Sequence, residues 1–563
     1  MIKKMFFTCI AAFSIQAGAN NVVITSVSTS GQDITAGANN AANFTNIEFD
    51  VNWDNSWRIS GGANNWDAIW VFAKYKIETG GACTAGSTWS HCTLSTTDAH
   101  HTVTTANGVA ATADVSSDGK GVFLYRTSAG NGSINWDDVK LRWRYRTDGL
   151  FDDCKVTVQV FAIEMVYVPA GDFILGDGST TTIGTFRTPN VASSTFTVTS
   201  DNAITVGGGG AGSLGKSAVA QTGGSDDWTD AAVPVSAPTT VPAAFPVGYS
   251  AFYCMKYEIS QQQYVEFLNT LDGTQQANRI VAVTAGSYMC NTAATGTPQN
   301  RNGVKCKNAP SGATAGEYAC DLDDDDSYNE TASDGLALAC NWMTVADLAA
   351  YLDWAALRPM TETEYEKACR GGQGAGLPNP AVAGEYPWGT AANITAATTA
   401  GITNGGNVTE TNSVANANIC YAGSTTGPVR CGAFAGAATT RITSGATYYG
   451  IMEMSGNVWE CCVIIGCAAG RSFQGDHGNG AVNSLGHADV NYWPGLNGNN
   501  TLTTQNTTYT TGVTGRAGWG WRGAAYLNAN WVRIGDRDYC GQGWANQATT
   551  RDNRQGGRGV RTE

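Results

Sequence analysis

Between residues 20 and 162, apolar and polar positions alternate with a period of two. Ile47, Phe49, Val51 and Trp53 are separated by polar residues, and Val139, Leu141, Trp143 and Tyr145 by Lys140, Arg142, Arg144 and Arg146. That is the spacing of half-buried strands, with the basic side chains on the wet face. Ile69 to Tyr75, Val122 to Tyr125 and Val156 to Ile163 predict further strands, joined by loops of Gly, Asn, Ser and Thr. The segment therefore predicts an all-β, sandwich-like domain. No grouping of His, Asp and Ser stands out in it, so a spacer or assembly role is expected of it rather than catalysis.

Residues 163–563 mix the two periods. Ser260 and Gln263 form a capping box ahead of a helix whose Tyr264, Phe267 and Leu268 share one face. Thr344 and Asp347 cap a second helix with the buried stripe Val345, Leu348, Leu352 and Ala355, and Thr361 with Glu364 makes another such box. Two stretches interrupt the pattern. Residues 178–244, rich in Gly, Ser, Thr and Ala, predict a long flexible surface insertion that buries little. Residues 270–339 carry the acidic run Asp321 to Asp326, which reads as a solvated face or, more sharply, as a loose calcium site.

At 563 residues the chain is too long for one ordinary domain, and two are expected. Charged residues make up only 14% and glycine reaches 69 copies, a loop-rich composition that suits extracellular β-rich proteins. With 33 Lys plus Arg against 47 Asp plus Glu, the net charge of −14 argues against nucleic acid or an anionic membrane as partner. Lys3 and Lys4, the apolar run Met5 to Ile15, and Ala17-Gly18-Ala19 predict a signal peptide over residues 1–19, hence a secreted or cell-surface protein. No later run is apolar enough to span a membrane. Without Cys9, which falls in that leader, the cysteines are odd in number, most of them expected in disulfides and one free or intermolecular. Cys83 and Cys92 are the easiest pair to propose, while Cys290, Cys306, Cys320 and Cys340 share the irregular second insert.

One stretch organises the second domain: Tyr449-Gly450-Ile451-Met452-Glu453-Met454-Ser455-Gly456-Asn457-Val458-Trp459-Glu460. Its residues alone favour a Gly-Asn turn flanked by two solvated glutamates. The alternative is that Glu453, Glu460 and turn carbonyls converge on a hard cation, for which oxygen ligands are the right chemistry. The stretch resembles the signature of the formylglycine-generating-enzyme (sulfatase-modifying factor) superfamily. So do Met165 to Gly176, Arg358-Pro359-Met360-Thr361-Glu362-Thr363-Glu364-Tyr365-Glu366 and Tyr386-Pro387-Trp388-Gly389, in the family's order. The resemblance covers about Met165 to Arg561. It implies an α+β architecture, a C-type-lectin-like domain preceded by the all-β sandwich-like one. It also implies structural calcium at Gly456, Val458 and Glu460, with Glu453 standing where the family has Asn. Asn418-Ile419 lies where the family's other calcium site begins, though Cys420 to Phe434 contains no Asp or Glu to complete it.

The family's chemistry uses copper held by two cysteines, because soft thiolates suit Cu(I). The matching positions here are Asn528 and Arg533, so copper is not expected. The superfamily's iron-dependent oxidases need a His-rich site, and only His477 and His487 fall in this domain as candidates. Instead, Trp519, Trp521, Tyr526, Trp531, Tyr539 and Trp544 alternate with Asn, Gln, Asp and Gly, as binding loops do, with Trp521 and Tyr526 read as core. The tail also resembles retroelement-diversified variable proteins. That resemblance implies ligand contacts at Ala524, Ala525, Tyr526, Asn528, Asn530, Trp531, Asp538, Tyr539, Gly541, Gln542, Gly543 and Trp544. Arg522, Arg533, Arg537, Arg551, Arg558 and Arg561 are expected in buried ion pairs with residues such as Asp536 and Asp552. The leading expectation is a non-catalytic binding protein for a protein or glycan ligand. An oxidoreductase with an altered metal site and a self-assembling extracellular subunit are the alternatives.

Overall fold

The apolar run Ala68 to Ala73 offers no face to water, and it lies at the centre of the molecule. In this computed structural model, residues 15–16, 22–290, 296–373, 379–541 and 550–563 are described. The expected signal segment falls almost wholly outside them, and Gln542, Gly543 and Trp544 fall outside as well. The N-terminal strands are β1 (Val23–Asp33), β2 (Phe44–Arg58), β3 (Asp67–Ile77), β4 (Thr102–Thr105), β5 (Ala111–Val115), β6 (Val122–Arg126), β7 (Gly130–Trp143) and β8 (Val156–Val168). The later elements that frame the site are β9 (Phe252–Met255), α1 (Gln261–Asn269), α2 (Val345–Trp354), β10 (Arg358–Pro359) and α3 (Glu362–Arg370). They are followed by β11 (Glu460–Val463), β12 (Trp519–Arg522) and β13 (Gly559–Arg561).

One antiparallel sheet runs β1-β2-β7-β4, with Ile15–Gln16 beside β1. The other runs β10-β13-β9-β8-β3-β6-β5, with Ser90–His91 beside β3. This second sheet joins strands from both expected domains. β8 pairs with β3 from Val156 opposite Ile77 to Val166 opposite Asp67, and its end pairs with β9 from Met165 opposite Met255 to Val168 opposite Phe252. The boundary expected between residues 162 and 163 thus falls inside one continuous strand.

Because successive side chains leave a strand on opposite faces, the shared sheet feeds two cores. Ile69, Val71 and Ala73 pack with Trp53, Trp136 and Trp143 between the sheets. Ala68, Trp70 and Phe72 pack instead with the helices, Phe72 meeting Trp354 of α2 edge to face at 5.1 Å. Val122 and Leu124 face the first core, Phe123 and Tyr125 the second. The result is three layers: sheet, shared sheet, and a layer of short helices and long connections. No described helix is long and apolar enough to cross a membrane.

All three expected capping boxes are present, at Ser260/Gln263, Thr344/Asp347 and Thr361/Glu364. Other expectations need correction. Residues 178–244 are not a loose insertion: Phe186, Val206, Leu214, Trp228 and Val241 are buried in the main core. Sparse apolar anchors hold it there, and Gly207 (φ +69°) permits a turn in which a Cβ would lie 2.2 Å from the Ala232 carbonyl oxygen. Cys83 is bonded to Cys154, not Cys92. The backbone N–H of Cys92 donates to the Ala73 carbonyl, and its side chain is buried in the first core.

Candidate functional site

The Ser-Gly-Asn turn is buried, and its glutamates are not solvated: Glu453 is 5% exposed and Glu460 0%. Glu453, Gly456 and Asn457 all have positive φ, and a Cβ on Gly456 would meet the Cys420 carbonyl oxygen at 2.4 Å. Asn457 Oδ1 accepts from the Val429 N–H at 2.8 Å, while its Nδ2 donates to Glu258. Glu258, just before α1, also accepts from the Val458 N–H at 3.0 Å, so one buried carboxylate clamps the turn. The sequence reading gave Glu258 no role. Its signal is a lone acid within the run Phe252 to Ile259, where Lys256 is the one other charged residue.

Glu460 Oε1 accepts from Arg558 Nε at 2.6 Å, and Arg558 Nη1 donates to the carbonyls of Met255 and Lys256. The guanidinium therefore supplies positive charge where calcium was expected. Glu453 Oε1 accepts from the Gly432 N–H at 2.9 Å. One buried oxygen on each, Glu453 Oε2 and Glu460 Oε2, has no hydrogen-bond donor. Burial, partly offset by the Arg558 charge, pushes the Glu453 carboxyl up to about 7. Burial and then the Glu460 charge push Glu258 well above the usual range. Three buried acids thus share this turn, and their two donorless oxygens fit a cation. Gly456 and Val458 occupy the turn itself, Val458 packing with Ala337, Ala339 and Cys431.

Asn418 and Ile419 do not fit a second calcium. Asn418 Oδ1 accepts from the Thr395 N–H at 2.9 Å, its Nδ2 donates to the carbonyls of Asn393 and Ile442, and the Ile419 carbonyl accepts from Ala397. Hydrogen bonds between loops occupy the groups that a metal would need.

Arg522, Arg537, Arg551, Arg558 and Arg561 are in ion pairs as expected, but with other partners, whereas the Arg533 guanidinium lies beside the hydroxyls of Thr181 and Thr182. Arg522 meets Glu366 at 2.7 Å and Glu362 at 3.2 Å, Arg537 meets Glu362 and Asp226, Arg551 meets Asp347, and Arg561 meets Asp118. Asp552 pairs with Arg554, and Asp536 accepts from the backbone N–H of a half-buried Arg533.

Most of the expected binding surface is interior. Ala524, Ala525 and Tyr526 are fully buried, and Asn528, Asp538, Tyr539 and Gly541 are buried as well, so their side chains are not presented to a partner. The Tyr526 N–H donates to the Asn457 carbonyl, Asn528 Oδ1 accepts from Ala525, and Asp538 accepts from Thr222. Among the described residues of this stretch, Leu527, Ala529 and Asn530 are exposed, with Trp531 and Arg533 half-buried. Trp531 has φ +68°, a strained conformation for so bulky a residue. It packs on Tyr539 at 5.1 Å and Trp459 at 6.1 Å, forming an aromatic platform beside the family turn.

Asn528 and Arg533, the two positions expected to correspond to copper thiolates, carry no sulfur. The nearby Cys540 is buried, and burial followed by the Glu362 charge raises its thiol strongly. Burial, with the Cys540 charge, does the same to Cys461 and Cys462. His477 Nε2 accepts from the Thr562 N–H at 3.0 Å, and His487 Nδ1 accepts from Arg279 at 2.7 Å. Each histidine already serves as acceptor to its own partner. A separate cavity of about 550 Å³ opens where the two halves meet, lined by Trp57 of the first sheet and by Lys256, Tyr257, Arg441 and Tyr448.

Residues 155–465 match the family described as sulfatase-modifying factor enzyme 1-like domain. The match takes in β8, the three helices and β11, and stops before β12, Trp531 and Arg558. No curated protein matches the chain.

Proposed function

We propose that this chain, which belongs to the sulfatase-modifying factor enzyme 1-like domain family, is an exported, non-catalytic binding protein built on that domain. What supports the reading is that Asn528 and Arg533 stand at the two positions that the family resemblance assigns to the copper thiolates. A guanidinium and an amide do not supply the soft ligands that Cu(I) requires. The buried thiols of Cys461, Cys462 and Cys540 are disfavoured as thiolates, so they offer no obvious substitute. A C-type-lectin-like arrangement of the second half remains part of this reading. Its ligand face is the ridge Leu527 to Trp531, where an aromatic ring on a packed platform adjoins an exposed amide, the chemistry of protein and glycan contacts. If the tail is diversified by a retroelement, Asn530 and Trp531 are the described positions where change reaches a partner without passing through the core. The Cys83–Cys154 disulfide supports an oxidising compartment.

The decisive experiment incubates the full protein with Cu(I), oxygen and a cysteine-containing peptide. No oxygen uptake and no aldehyde are expected; aldehyde formation would return the chain to the oxidoreductase class. Structural calcium belongs to the same reading. Held by Glu453 and Glu460, it would satisfy their donorless oxygens and add positive charge among the three acids. Chelator should then lower the melting temperature, and Glu453→Gln should remove that sensitivity.

A further inference from the structure

The cavity of about 550 Å³ where the two halves meet is rich in hydrogen-bond donors and poor in acids. Trp57 reaches it from near the end of β2, Lys256 and Tyr257 from just after β9, and Arg441 and Tyr448 from the family domain; no Asp or Glu lines it. The three aromatic residues are half-buried. Lys256 Nζ lies 5.0 Å from the Trp57 ring centroid and 5.2 Å from that of Tyr257, so one ammonium ties the two rings together across the boundary. Among the described residues, nothing bonds to the Trp57 indole N–H or to the hydroxyls of Tyr257 and Tyr448.

The two cations of the lining differ. Lys256 is matched by Glu164 at 2.7 Å. Arg441 has no carboxylate of its own among the described residues. Its Nη2 donates to the carbonyls of Pro387 at 2.7 Å and Cys369 at 3.3 Å, its buried Nε has no acceptor, and the guanidinium lies 5.6 Å from the Tyr448 ring centroid. Burial lowers the guanidinium from its ordinary range, opposed first by the charge of Glu385, and that carboxylate is already bonded to Arg370. The cavity therefore holds one positive charge without a counter-charge.

Those features define a ligand. An indole N–H and a guanidinium only donate, and a phenol hydroxyl donates readily, so the partner is rich in acceptor oxygens. One unmatched cation suits one carboxylate. A fatty or purely aromatic acid would leave the indole and the two hydroxyls unpaired as it displaced water from them, which disfavours it. Rings that bury apolar surface while offering a polar end suit a body that is apolar on its C–H face and carries hydroxyls at its edge. We propose that this cavity binds a hexuronic acid sugar, its carboxylate held by Arg441 and its hydroxyl oxygens accepting from Trp57, Tyr257 and Tyr448. The volume falls within the range of about 300–1,000 Å³ usual for small-molecule sites. The cavity shares no lining residue with the ridge Leu527 to Trp531, so the proposal does not depend on what that ridge binds.

The test is calorimetric titration of the full chain with glucuronate and galacturonate, with glucose and benzoate as controls. At least one uronate should bind saturably at a single site, and roughly tenfold more tightly than either control, since glucose lacks the carboxylate and benzoate the hydroxyls. Y257F/Y448F removes two hydroxyls that no described protein group uses, so its melt should match the wild type while its uronate affinity falls roughly tenfold. The wild-type comparison with glucose and benzoate decides the ligand class even where that variant is destabilised. Failure of both uronates to bind, equal binding of glucose or benzoate, or an unchanged uronate affinity in Y257F/Y448F would overturn the proposal.

Discussion

Lys367 lies in α3 with its ammonium donating to the carbonyls of Gly248 and Tyr249. Burial, partly offset by Glu364 and Asp201, lowers it from 10.5 to about 7. Between those values the unfolded chain holds a proton that the folded chain lacks, so this residue makes stability rise with pH across that window. Lys367→Met removes the contribution, and the stability difference between wild type and variant should shift in favour of the wild type as pH rises. Denaturant midpoints for both proteins across that window would show it; a constant difference would mean the ammonium titrates normally. Arg558 makes a different demand. Its guanidinium is fully buried between Glu460 and two carbonyls, so Arg558→Met leaves Glu258, Glu453 and Glu460 without their main counter-charge. A loss of roughly 3–5 kcal/mol is expected, as for other broken buried pairs. A denaturation curve shifted by less than about 1 kcal/mol would mean that water or a bound cation already screens these acids.

At the scale of elements, β3 does the most. Its side chains enter two cores, and Trp70 alone donates to the Ala355 carbonyl at 2.9 Å and lies 4.4 Å beneath the Arg561 guanidinium. Trp70→Ala should cost about 3–5 kcal/mol, the range for deleting a large buried aromatic ring. Because the ring joins the shared sheet to both α2 and β13, probes in either half should report the loss together. α3 shows a second kind of element. Glu362, Glu364 and Glu366 are all buried, facing Arg522, Arg537, Arg358 and Arg370 rather than water. The helix packs by charge on the side where an amphipathic helix would face solvent.

For the whole molecule, the shared sheet makes the N-terminal strands part of the family domain's core. A protein cut before β8 would lose the partner strand β3 and expose Phe161, Ile163 and Tyr253. The intact chain should therefore melt in one transition, and a fragment beginning near residue 156 should be insoluble or unfolded. Two separated transitions in calorimetry, or a soluble folded fragment, would show that the halves are independent.

What the sequence determined by itself is local. The capping boxes at Ser260, Thr344 and Thr361, the strand periods around Phe49 and Leu141, and the turn at Gly456-Asn457 depend on residues within a few positions of one another. The ordered motifs of the family are local in the same sense. Tertiary structure decided what those elements meet. Glu460 reads as solvated until Arg558 arrives from the far end of the chain, and Arg522 reads as a partner of nearby acids until α3 presents Glu366. Ala524 and Ala525 read as a surface until the Asn457 carbonyl receives the N–H of the neighbouring Tyr526. The continuity of β8 across the expected boundary was equally hidden, since an apolar run does not record which strand lies on either side of it. Burial and charge pairing are sums over contacts distant in sequence; periodicity reports which residues share a face, and only the folded chain determines what that face touches.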